Sequence, residues 1–133
     1  MKLLIDENVV IDALLGRRPF NGDAEKILAA CADTHTGCLS VNSLTDIFYI
    51  LRKTMSASSV KAVIKKLMEL FEIITINNED CQNALALPID DFEDALVVIY
   101  ANKAKVDFIV TRDKELINTD TLVKIISPDN LEL

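Results

Sequence analysis

The 133-residue chain carries 14 Lys and Arg against 21 Asp and Glu, a formal net charge of −7 at pH 7, with 50% hydrophobic and 26% charged residues. That length buries roughly two-thirds of the surface of the unfolded chain, enough for one domain that needs neither disulfides nor a structural metal to fold. The balance excludes a disordered chain and a simple basic nucleic-acid binder, and the longest apolar stretch, Ala95 to Ala101, is far short of the roughly 18 residues a membrane span needs.

Lys2 to Ile5 is a short apolar run ending at Asp6, and Val9 to Leu15 continues with helical spacing, so a strand passes straight into a helix near Asn8. Gly16 and Pro19 end that helix. Ala24, Ile27, Leu28 and Cys31 form one stripe of an amphipathic helix over Asp23 to Ala32. Thr36 to Val41 reads as a second strand, after which Asn42 or Ser43 caps a helix through Arg52. Ser58 or Ser59 opens the next helix, with Val60, Val63, Ile64, Leu67, Leu70 and Phe71 facing the core. Glu72 to Ile76 is a third strand, rich in β-branched residues. Asn78 caps a short helix that stops before Pro88. Asp91 to Lys105 is a helix, Val106 to Val110 a strand, and Leu122 to Ile126 a final strand before Pro128. Strands alternating with helices predict an α/β fold of three layers, a parallel sheet of about five strands covered by helices on both faces. With no repeat, low-complexity tract or linker, residues 1–133 read as a single domain.

Cys31, Cys38 and Cys81 are an odd set without paired spacing, which fits free thiols in a reducing cytoplasm. The apolar run after Met1 and Lys2 meets Asp6 too soon for a secretory leader. The lone His35 falls in a loop and has no second His with which to bind zinc.

Four segments deliver acid to points just after a strand or at a helix start: Asp6 in LLIDEN, Asp46 in NSLTD, Asp91 and Asp94 in DDFED, and Asp113 in VTRD. In an open α/β sheet such points share the carboxyl edge, where ligands bind. Asp6 fits a helix N-cap as well as a ligand. Ser43-Leu44-Thr45-Asp46 matches a capping box, which for Asp46 alone is the better reading. Asp113 also suits a turn. Four acids within Asp90 to Asp94 exceed what a helix start requires, and a bound cation would turn their repulsion into coordination. Hard oxygen donors without a His or Cys cluster select one or two Mg²⁺ or Mn²⁺ ions over zinc. Two such ions would bring −7 to −3, a smaller barrier to a polyanion.

The segments LLIDENVVIDALLGR, SVNSLTDIFYILRK and DFEDALVVIYANKAKVDFIVTRDKEL together resemble the PIN-domain family, which includes the VapC-like toxin ribonucleases of toxin-antitoxin pairs. The more specific part is the DxxDA segment followed about twenty residues later by TRD. The resemblance implies a sheet order of 3-2-1-4-5, which seats Asp6 beside Asp113. It implies metal-binding catalytic acids at Asp6, Asp46, Asp94 and Asp113, with Asp91 an additional ligand, and makes Asn8 and Thr111 the polar residues that steady the first acid and the fourth-strand loop. Two departures stand out. Glu7 replaces the usual small hydroxyl residue and could add a ligand, and Asp46 replaces a longer Glu and could loosen one metal contact.

The function so implied is Mg²⁺- or Mn²⁺-dependent hydrolysis of RNA phosphodiester bonds in the cytoplasm, with an antitoxin protein as partner and a homodimer as an assembly the apolar helices could support. The alternative is a PIN-like module, catalytically weak or inactive, that binds RNA or protein through its fold alone. Arg17, Arg18, Arg112 and Lys114 are candidates for contact with the nucleic-acid strand. A phosphoryl-accepting receiver domain needs an Asp at the end of the third strand, where this chain has Ile74-Thr75-Ile76-Asn77. A phosphatase with an acid two residues beyond its nucleophile is disfavoured by Asn8.

Overall fold

The computed structural model describes residues 1–133. Five parallel strands form one sheet in the order β3-β2-β1-β4-β5: β1 Lys2–Ile5, β2 Thr36–Ser40, β3 Glu72–Ile74, β4 Phe108–Val110 and β5 Lys124–Ile126. The α/β class, the parallel sheet and its order agree with expectation. Strand alternation sorts the core into two layers. Leu3, Ile5, Leu39 and Val110 face one side and pack with residues of α1 (Glu7–Leu15), α2 (Asn21–Asp33), α3 (Val41–Leu51) and α4 (Ala57–Leu70). Leu4, Cys38, Ile74 and Ile109 face the other and pack with α5 (Asn78–Ala86), α6 (Phe92–Ala104) and Leu116 of the short α7 (Lys114–Ile117). No helix is long and apolar enough to cross a membrane.

Element ends differ from the sequence reading in a consistent direction. Ser40, Ser56 and Asn77 cap α3, α4 and α5, each upstream of the residues expected to do so. Where several cap-forming residues follow one another, the hydrogen bond goes to the one at which extended backbone ends. Ser40 is the last residue of β2, and its hydroxyl accepts the Ser43 amide at 3.0 Å. Asn77 and Asp80 form a reciprocal capping box, which pulls the chain out of the sheet and ends β3 at Ile74 rather than Ile76. The fourth strand starts at Phe108 rather than Val106, because the Val106 amide still closes α6 on Ala101. The last strand starts at Lys124 rather than Leu122, whose side chain is fully exposed. The helix α7 was not expected; Asp113 caps it by accepting the Glu115 amide at 3.0 Å.

Glycine is required at position 37 by close approach. A Cβ there would stand 2.6 Å from the Phe71 ring and 2.9 Å from Cys31, so β2 and α2 could not keep their separation. All three cysteines are free, and burial raises the thiols of Cys31 and Cys38 to about 11, which makes them packing residues rather than nucleophiles.

Candidate metal centre

The strand order reverses between β1 and β4, and the crevice beyond the carboxyl ends of such strands is where open α/β sheets bind ligands. Ile5 pairs with Val110, so Asp6 and the Thr111-Arg112-Asp113 segment leave the sheet side by side. The Asp6 amide donates to Val110 O at 2.9 Å and extends that pairing one residue past β1. A cavity of about 80 Å³ opens there. Its walls carry six acids: Asp6 and Glu7 from the start of α1, Asp46 from α3, Glu93 and Asp94 from α6, and Asp113 from the start of α7.

Thr111 is fully buried and joins the two strands chemically. Its Oγ1 donates to Asp6 Oδ2 at 2.6 Å and accepts from the Asp113 amide at 3.1 Å and from Asn8 Nδ2 at 3.3 Å. The Asn8 amide also reaches Asp6 Oδ2 at 3.2 Å, while Asp6 Oδ1 accepts the Glu7 amide at 3.0 Å. Asp6 is therefore both the N-cap of α1 and a carboxylate locked in one orientation. The structure thus places Asn8 and Thr111 directly on Asp6.

Asp46 does not belong to a capping box. Because α3 begins at Val41 behind Ser40, Asp46 falls in the second turn, where its carboxylate lines the cavity. Asp91 has the opposite fate. It is the N-cap of α6, accepting the Asp94 amide at 3.0 Å, and is not among the cavity-lining residues. Glu93 was not singled out from the sequence, yet it lines the cavity with Val97 and Tyr100 at helical spacing i, i+4, i+7; that stripe was the available signal.

The electrostatics follow from crowding acids in a recess. Burial pushes the Glu7 carboxyl up to about 8, helped by the Asp6 carboxylate and opposed by the Ser43 hydroxyl, which donates to Glu7 Oε2 at 3.3 Å. Burial, then the charges of Asp91 and Asp113, raise Asp94 to about 6. Asp46 is raised by burial and by Glu7, and Glu93 by burial and by Asp46 and Glu7. An all-oxygen donor set that binds protons this tightly suits a hard divalent cation, which would replace them. As the side chains stand, no three of the protein's acids, histidine or cysteines close around one point.

The basic residues are divided. Arg112 donates from Nε to Asp12 Oδ2 at 2.6 Å and from Nη2 to Oδ1 at 3.1 Å, and its guanidinium lies 4.2 Å above the Phe20 ring. Asp12 is 1% exposed, so Arg112, expected to face the nucleic-acid strand, has a structural partner that sequence reasoning missed. Arg17 stands 4.0 Å from the same carboxylate. Arg18 and Lys114 form no ion pair.

The sequence model of the PIN domain matches residues 2–115 of this chain. No curated protein matches it. Among solved structures, a toxin-antitoxin complex from Klebsiella pneumoniae is similar at 19% identity and a TM-score of 0.72, covering 95% of this chain and 97% of the other. VapBC2 from Rickettsia felis, bound to a promoter DNA fragment, is similar at 15% identity and 0.69, covering 96% and 98%. The sarcin-ricin-loop-cleaving toxin VapC20 from Mycobacterium tuberculosis is similar at 15% identity and 0.68, covering 86% and 92%.

Proposed function

The chain belongs to the PIN-domain family, and from that premise we propose that it is a Mg²⁺- or Mn²⁺-dependent endoribonuclease acting as the toxin of a toxin-antitoxin pair. The observation that carries the reading is the acid-walled cavity at the β1/β4 switch point, to which Asp6, Asp46, Asp94 and Asp113 all contribute. These four, with Glu7 and Glu93 beside them, would hold one or two ions. A bound ion supplies an acidified water and shields the charge that grows on phosphate and leaving oxygen.

The protein's own groups prepare that chemistry. Thr111 and Asn8 fix Asp6 Oδ2, so the carboxylate has no rotational freedom to lose on binding. The Thr111 hydroxyl also holds the Asp113 amide, which keeps the acids of β1 and α7 in register. Asp91 caps α6 and thereby sets the helix start from which Asp94 projects. Burial pushes the Glu7 carboxyl up to about 8, so it would give up a proton in order to hold a cation. Arg17, Arg18 and Lys114 are the candidate cations for the strand's phosphates, with Arg17 and Arg112 contributing what their Asp12 contacts leave free.

The antitoxin partner is inferred from the toxin-antitoxin complexes the fold resembles, and RNA as substrate from the family and the sarcin-ricin-loop-cleaving neighbour. An inactive PIN-like binding module is the second reading, favoured by the lack of three converged acids. Incubating the chain with tRNA, mRNA and single-stranded DNA, with Mn²⁺ or with chelator, separates them: cleavage of RNA only with Mn²⁺ supports the nuclease, and intact RNA under all conditions supports the module.

A further inference from the structure

Tyr100 lies in α6, lines the acid cavity and is 1% exposed, yet its hydroxyl is the one buried side-chain polar atom without a hydrogen-bond partner. It also belongs to the apolar core layer that includes Leu96, Ala101 and Leu116. A phenylalanine would fill such a position, whereas an unpaired buried hydroxyl is a net cost to the fold. Burial raises the phenol above its ordinary value, opposed by the backbone amide of Asn42, which faces the hydroxyl oxygen as a donor; an amide can engage only the acceptor side of that oxygen, so the O–H remains to be donated. The carboxylates of Asp46, Glu93 and Asp94 share the cavity and accept hydrogen bonds when ionised, but none reaches the hydroxyl directly. The cavity they share, about 80 Å³, has room for solvent, since a water needs roughly 10–15 Å³ of such space.

We propose that Tyr100 is a positioning residue of the acid centre: its hydroxyl donates to a water held in the cavity, and that water ties it to the carboxylates that bind a divalent cation. The inference rests on the metal-centre reading given above. It is tested by calorimetric titration of the full chain with Mn²⁺, comparing the natural protein with Tyr100→Phe and with Tyr49→Phe, whose ring is 67% exposed. Tyr100→Phe is expected to weaken Mn²⁺ binding about tenfold, as loss of an outer-sphere partner does, with no rise in the melting temperature of the metal-free chain, while Tyr49→Phe matches the natural protein. Unchanged Mn²⁺ affinity with a raised melting temperature would mean a hydroxyl buried for packing alone and would overturn the proposal. A natural chain that takes up no Mn²⁺ removes the metal-centre reading instead. In that case a slowly exchanging water with a nuclear Overhauser effect to the Tyr100 ring upholds the hydroxyl's role, and absence of that signal overturns it.

Discussion

Replacing Thr111 with Val removes the hydroxyl that ties the two acid-bearing strands together while nearly preserving shape. Lost are the 2.6 Å donation to Asp6 and the bonds accepted from the Asp113 amide at 3.1 Å and Asn8 at 3.3 Å. A hydrogen bond to a charged group contributes about 1.5–3 kcal/mol and a neutral one about 1 kcal/mol. The Asp113 amide and Asn8 can turn partly to solvent, and the added methyl of Val returns about 0.8 kcal/mol. The expected net loss is about 2–3 kcal/mol, which lowers the melting temperature of a domain this size by roughly 6–12 °C. Urea unfolding of the natural chain, Thr111→Val and Thr111→Ser measures it. Serine keeps the hydroxyl and should recover more than half of the loss. A cycle with Asp6→Asn should return a coupling of about 1 kcal/mol or more, because the two groups touch. A valine variant as stable as the serine variant, or a coupling near zero, would refute the argument that this hydroxyl locks Asp6.

Two further predictions concern charge. Glu7 and Asp94 titrate near 8 and 6 in the fold against ordinary values of 4.5 and 3.8, so the folded chain holds their protons more tightly than the unfolded chain does. The stability they contribute is complete below about pH 4 and is lost as pH rises through 6 and then 8. Melting of the metal-free chain from pH 5 to pH 8.5 should therefore show falling stability, with a shallower fall in Asp94→Asn and a flat or rising trend under saturating Mn²⁺; rising stability without metal would contradict the raised carboxyls. Arg112→Ala leaves the Asp12 carboxylate buried with only Arg17 at 4.0 Å, and should cost about 3 kcal/mol by urea unfolding. A cost under about 0.5 kcal/mol would show the pair to be dispensable and return Arg112 to the strand-binding candidates.

What could be read from the sequence follows the range of the interactions involved. Strands and long helices were legible because apolar periodicity is local, and strand order came from the family resemblance. Cap positions at Ser40, Ser56 and Asn77 were misjudged because neighbouring residues had equal propensity and only the end of the preceding strand or turn decides among them. The same shift decided Asp46: with the cap three residues upstream of Ser43, its capping-box reading disappears and its place in the cavity remains. Glu93 and Asp91 exchanged places, because which acid of DDFED faces the cavity depends on where α6 starts: with Asp91 as the N-cap, the Glu93-Val97-Tyr100 stripe turns to the cavity. The Asp12–Arg112 pair spans 100 residues and Tyr100 shares a cavity with Asp46 only because two helices come together, so neither leaves a local trace.

The most direct test follows RNA cleavage by the natural chain, Asp6→Asn and Asp94→Asn with Mn²⁺, and by the natural chain with chelator. The account predicts cleavage by the natural chain with Mn²⁺ alone, and none by either variant although both remain folded. Cleavage that persists in chelator, or in Asp6→Asn at the natural rate, would contradict it.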